Sequence, residues 1–145
     1  HKTDSELSRI NRDAAATPVP LSDEMFALLG RALEFSALSD GAFDISYASA
    51  GQLYDYRAGT GPSEAALADA CAAIGWRRLL LDPVARTLRF ARPGMRIDLG
   101  GFAKGHAVDN AVALLRRRGI RHAIVSAGGD SRVLGDRRGR QCMVA

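Results

Sequence analysis

Gly100, Gly101 and Lys104 fall within one short span, and paired glycines beside a lysine suit the binding of a phosphate group. Adjacent glycines let a backbone approach a ligand closely. Ile97-Asp98-Leu99 reads as a short apolar strand entering a glycine turn, which opens a helix at about Ala103. A helix start offers unbonded N–H groups and a partial positive charge, both favourable to an anion. Lys104 would add a full charge there, and it is one of two lysines beside eighteen arginines. The spacing meets neither common phosphate fingerprint. A Walker lysine follows its glycine and precedes a hydroxyl residue, and glycines at 100, 101 and 105 do not make Gly-x-Gly-x-x-Gly. A tight turn with Lys104 in solvent fits the same residues, so spacing leaves both readings open.

Four blocks together resemble one family. Asp98-Leu99-Gly100-Gly101-Phe102-Ala103-Lys104-Gly105-His106-Ala107-Val108-Asp109 resembles the central signature of the ApbE-type FAD:protein FMN transferases. Ser5-Glu6-Leu7-Ser8-Arg9-Ile10-Asn11 resembles the family's Ser-x-Leu-Ser-x-x-Asn block, and Ser39-Asp40-Gly41-Ala42-Phe43-Asp44-Ile45-Ser46 resembles its Gly-Ala-Phe-Asp block. Ser126-Ala127-Gly128-Gly129-Asp130 resembles its strand-to-Gly-Gly-Asp turn. The blocks follow in the family's order and span most of the chain.

The resemblance implies an α+β fold, a mostly antiparallel sheet with helices packed on one face. It implies that Asp98 and Lys104 contact FAD and serve the reaction, and that Gly101 supplies a metal ligand through its backbone. Ala42, Phe43 and Asp44 are implied to line the flavin site, with His1 as a further cofactor contact in the place of a family tyrosine. The implied reaction is Mg²⁺-dependent transfer of FMN from FAD to a threonine hydroxyl of an acceptor flavoprotein, with release of AMP. FAD is then the substrate, Mg²⁺ the cofactor and the acceptor flavoprotein the partner. Phosphoryl transfer of this kind needs positioning and neutralisation of the pyrophosphate charge.

The family's later His-x-x-Asp-Pro block, and the Asp and Thr that complete its magnesium site, have no counterpart in these residues. Residues 1–145 are therefore expected to be one ApbE-like domain incomplete at both ends, with the remaining metal ligands beyond it. On that expectation the piece alone transfers nothing. A periplasmic location, or an anchor on the outer side of the inner membrane, is implied by the family alone.

Simpler roles stand beside these. Phe43 suits a core position as well as a flavin-facing one, and Asp44 could cap a turn. Asp109 could orient Lys104 or pair with an arginine. Gly128, Gly129 and Asp130 suit a tight turn. A flavin-binding module without transferase activity, and a basic interaction domain whose glycines are only turns, are the competing functions.

The formal charge of +4 rests on arginine, densest at Arg116-Arg117-Arg118, Arg121, Arg137, Arg138 and Arg140. A nucleic-acid reading needs stacking aromatics near such a patch or a known module, and this region has neither, since all three tyrosines and Trp76 precede position 80. Nucleic acid is therefore not an expected partner, and arginines ending a helix complement its dipole. Cys71 and Cys142 make no disulfide framework, and Cys71 reads as buried on a helical face with Leu67, Ala70 and Ile74. His1, His106 and His122 are too scattered for zinc. No apolar run approaches the ~20 residues that span a bilayer.

The elements that must position these residues alternate. Ser22 caps a helix carrying Met25, Leu28, Leu29, Ala32, Leu33 and Ser36 at helical spacing, stopped by Ser39-Asp40-Gly41. A second helix is expected from Pro62-Ser63-Glu64 to Gly75, and a third from Ala103 to Arg118 with Gly119 closing it. Trp76–Leu81 and Thr87–Phe90 read as strands around the turn Asp82–Arg86. Ala123–Val125, Arg132–Leu134 and Cys142–Ala145 read as further strands, and residues 47–61 as a loop over the site. Hairpins outnumber βαβ units, which also favours an α+β class.

Overall fold

The computed structural model describes residues 4–55, 57–136 and 139–140. His1, Tyr56, Arg137, Arg138 and the strand expected over Cys142–Ala145 lie outside the described residues. The chain divides into two compact units, one ending at Asp98 and the other beginning at Leu99.

The first unit opens with α1 (Glu6–Asp13), whose N-cap Ser5 accepts a hydrogen bond from the Ser8 amide at 3.2 Å. After β1 (Val19–Pro20), Ser22 caps α2 (Asp23–Leu38) by accepting from the Met25 amide at 3.1 Å. The Glu6 carboxylate accepts from the Ser22 amide at 2.7 Å and from its hydroxyl at 2.8 Å, fastening the start of α2 to α1. Leu28, Leu29, Ala32 and Ser36 are buried on one face of α2, as their spacing predicts. Gly41, at φ +84°, ends the helix by donating to the Ser36 carbonyl at 2.8 Å.

Residues 47–61 are not simply a loop. A 3₁₀ turn, Ile45–Tyr47, runs straight into α3 (Ala48–Gly51), because Ile45, Ala48 and Ala50 bury together. Next comes α4 (Glu64–Ala72), capped by Ser63. It stops short of Gly75, which at φ +155° opens a second 3₁₀ turn, Trp76–Arg78, in place of the expected strand start. Cys71 is exposed, not buried. α4 covers α3 with a narrow stripe, so Leu67, Ala70 and Ile74 are half-buried while Cys71 turns outward.

β2 (Leu79–Asp82) and β3 (Thr87–Phe90) form an antiparallel hairpin, and β1 pairs on the other side of β3. The register sets Leu79 opposite Phe90, and Leu81 and Val19 opposite Leu88. One face is thus wholly apolar and packed inward, the cross-strand pairing that stabilises a sheet. Phe90 is 1% exposed, and its amide donates to the Ala14 carbonyl at 2.8 Å. Phe90→Ala is expected to cost about 3–5 kcal/mol, transfer and cavity terms combined. Urea unfolding checks this, and an unchanged midpoint would remove Phe90 from the core.

The second unit is α5 (Gly100–Arg117) packed on the hairpin of β4 (Ala123–Ala127) and β5 (Asp130–Leu134), with Val108, Val112 and Leu134 buried. Gly128 and Gly129, at φ +57° and +99°, make the two-residue turn between the strands. α5 begins three residues earlier than expected. Leu99, 5% exposed, stands at the N-cap, and its carbonyl accepts from the Phe102 amide at 2.9 Å and the Ala103 amide at 2.7 Å. Burial of Leu99 pins the helix start, so Gly100 and Gly101 are its first helical residues and not a preceding turn. Gly119, at φ +79°, closes the helix as expected, and Arg116 and Arg117 fill its last turn. The architecture is α+β, with small antiparallel sheets and helices packed on them.

Candidate functional site

Met95, Ile97 and Leu99 are buried while Arg96 is exposed and Asp98 half-buried, the alternation of an extended chain. Yet residues 95–99 lie in no strand, contrary to the expected strand before the glycines. Their backbone groups find side chains instead. The Arg96 amide donates to Ser49 Oγ at 3.0 Å. The Ile97 amide donates to Asn11 Oδ1 at 2.8 Å, and Asn11 Nδ2 donates back to the Ile97 carbonyl at 2.9 Å. The Asp98 amide donates to the Ile45 carbonyl at 2.9 Å.

This extended segment forms one wall of a cleft of about 370 Å³, within the size range of small-molecule sites. Leu7, Ser8 and Asn11 of α1 line it, with Tyr47, Ala48, Gly51 and Gln52 from the 3₁₀–α3 segment, and Arg96, Ile97 and Asp98. The Tyr47 hydroxyl donates to Asp98 Oδ1 at 3.4 Å. The Tyr47 ring lies over Gly51, where an added Cβ would sit 3.1 Å from it. Of the site residues named from sequence, Asp98 lines this cleft. Ser8, Asn11 and Arg96 were not named as site residues, whereas Tyr47 and Gln52 fall in the 47–61 segment expected over the site. The alternation over 95–99 was the available signal for Arg96. Asn11 closes the first family block, but nothing local points to its partner, which is 86 positions away.

The Gly-Ala-Phe-Asp block is a joint within the same unit. Ala42 is exposed in the turn after α2, and half-buried Phe43 packs edge-on against Phe35 with ring centroids 6.4 Å apart. Asp44 caps the first 3₁₀ turn. Its Oδ1 accepts from the Ser46 amide at 2.8 Å and the Ser46 hydroxyl at 2.6 Å, and its Oδ2 accepts from the Trp76 amide at 2.9 Å. Ser46, fully buried, accepts in turn from the Gly75 amide at 2.8 Å. Both carboxylate oxygens of Asp44 therefore hold the two 3₁₀ turns together.

In the second unit Lys104 is exposed, and its ammonium donates to the Gly128 carbonyl at 3.2 Å. A Cβ on Gly128 would come within 2.9 Å of Lys104 Cδ, so the lysine stem lies across the glycine turn. Asp130 Oδ2 stands 4.0 Å from where a Cβ on Gly105 would be. The helix start and the Gly-Gly-Asp turn are thus one patch. Asp109 pairs with Arg132, which settles its two readings in favour of the arginine.

Gly101, the implied metal ligand, offers only a backbone carbonyl in the first turn of α5. Among the described residues no three His, Cys, Asp or Glu side chains converge on a point that could hold a metal ion. The described residues do not by themselves make up a magnesium site, and no chemical step is derived through one.

The ApbE family profile matches residues 1–145. Curated relatives include the FAD:protein FMN transferase of Treponema pallidum, 32% identical, with 93% of this chain and 39% of that protein aligned. That of Rhodobacter capsulatus is 34% identical, with 97% of this chain and 28% of that protein aligned. Among solved structures, the ApbE protein of Thermotoga maritima superposes with a TM-score of 0.85 at 30% identity, over 94% of this chain and 45% of that one. The flavin transferase ApbE of Vibrio cholerae superposes with a TM-score of 0.86 at 28% identity, over 96% and 46%. The chain thus spans less than half the length of these proteins. Four blocks in order, the α+β architecture they build and a profile match over all 145 residues agree, and the chain belongs to the ApbE family.

Proposed function

We propose that this chain is the FAD-binding part of a FAD:protein FMN transferase, with the cleft beside Asp98 receiving part of the dinucleotide. In this reading an acceptor threonine hydroxyl gives up its proton to solvent as its oxygen bonds to the FMN-side phosphorus, the bond to the bridging oxygen breaks, and that oxygen leaves with AMP. The observation that carries it is the meeting of two family blocks at one concave surface. Ser8 and Asn11 of the first block and Asp98 of the central block line the same cleft. Asp98 and exposed Arg96 supply polar groups on a wall whose other side chains are buried. Lys104, at the start of α5, supplies the cation that phosphate oxygens need during transfer. A magnesium requirement and an acceptor outside the cytoplasm belong to the same reading.

The deciding experiment incubates the full-length gene product with FAD, Mg²⁺ and a flavoprotein carrying an exposed target threonine, followed by intact mass spectrometry. An acceptor heavier by one FMN, with the gain abolished by a chelator, is the expected result. FAD retained on the protein with no mass gain would make this a binding module instead. Loss of both, with salt-sensitive binding to nucleic acid, would point to a basic interaction domain.

A further inference from the structure

We propose that Asn11 is a positioning residue for Asp98, acting as a one-residue substitute for a neighbouring strand. The inference rests on the flavin-transfer reading and deepens it. Residues 95–99 are extended, yet no strand pairs with them, so the direction in which Asp98 points must be set by other groups. In a sheet, the amide and carbonyl of one residue bonded to the same neighbour prevent rotation about the strand axis. Asn11 reproduces that two-point contact on Ile97, with bonds of 2.8 and 2.9 Å. Its carboxamide is suited to this because it has one donor and one acceptor side by side.

The neighbours supply the remaining restraints. Ser49, 1% exposed, accepts from the Arg96 amide and donates to the Arg96 carbonyl at 3.3 Å. The Ile45 carbonyl accepts from the Asp98 amide, and the Tyr47 hydroxyl reaches the Asp98 carboxylate at 3.4 Å. Ile97, 1% exposed, points inward, so its two flanking side chains must point outward. Asn11 therefore holds the inward residue, and through it aims the Asp98 carboxylate into the cleft. Aspartate at position 11 cannot do the same. It keeps an acceptor for the Ile97 amide but sets a second oxygen against the Ile97 carbonyl.

A double-mutant cycle on the full-length gene product tests this, read as kcat/KM for FAD in FMN transfer and as the FAD dissociation constant from flavin fluorescence. Asn11→Ala and Asn11→Asp are each expected to lower kcat/KM at least about tenfold, the scale of a misaimed active-site group. In an Asp98→Ala background the same substitutions are expected to change it less than about twofold, because the group they aim is gone. Amide exchange at Ile97 should accelerate in Asn11→Ala while amides of β3 stay protected. Equal losses in both backgrounds, or undiminished protection at Ile97, would overturn the proposal. If the unsubstituted protein binds FAD but transfers no FMN, the transfer reading fails alone, and the cycle on FAD dissociation constants decides Asn11. A parent that does neither sinks both.

Discussion

Lys104→Ala is expected to lower FMN transfer by a factor on the order of 10²–10³, as removal of one preorganised charge-stabilising group typically does. The unfolding midpoint should stay where it is. The argument for the large effect is chemical. Charge spreads over the pyrophosphate oxygens as the phosphoryl group moves, and a cation fixed at a helix start stabilises that charge. The ammonium is held by the Gly128 carbonyl, and its stem lies against the glycine turn, so it is placed before substrate arrives. An ammonium has three donors, and one bond to a carbonyl leaves capacity for phosphate. The argument for the small effect on stability is exposure. Lys104 is at the surface, where water competes for its ammonium, and an exposed charged contact is typically worth about 0–1 kcal/mol. Steady-state transfer rates and a thermal melt of the same preparation check both halves. Transfer at the unsubstituted rate would take Lys104 out of the site.

Asp44→Ala should do the reverse, costing about 3–5 kcal/mol of stability while leaving flavin affinity per folded molecule nearly unchanged. The family signature implies Asp44 as a flavin contact, but its carboxylate is already occupied by two amides and a hydroxyl. Removing it strands the Ser46 amide and the Trp76 amide in a part-buried joint, and loosens the Ser46 hydroxyl that receives the Gly75 amide. Asp44→Asn should lose less, since one amide oxygen can still accept while the NH₂ faces donors. Denaturant unfolding with FAD titration separates the roles. Intact stability with lost flavin binding would return Asp44 to the flavin.

These two residues mark how far local sequence reaches. Ser22, Ser63 and Gly119 act at the helix ends where their chemistry places them, because a cap acts within a few residues of itself. The Gly128-Gly129 turn follows from φ values that favour glycine, and the buried face of α2 follows from its period. The membership of the chain in its family was legible in four short blocks for the same reason, since each is a contiguous motif.

What required the tertiary structure was every decision taken between distant residues. Cys71 has the spacing of a core residue, but the stripe of α4 that packs on α3 is narrow and leaves the thiol outside. Leu99 moved the start of α5 forward by burying itself, overriding the poor helix propensity of two glycines. Asp109 chose Arg132 over Lys104 because the hairpin brought that arginine to it. Asn11 reaches Ile97 across 86 positions, so no window on the sequence could connect them. Local chemistry marked Lys104 as a candidate phosphate contact, and the family signature added Asp98. Long-range packing built the cleft around Asp98 and seated Lys104 on its turn, because a backbone left without a strand partner must be satisfied by whatever side chain the fold delivers.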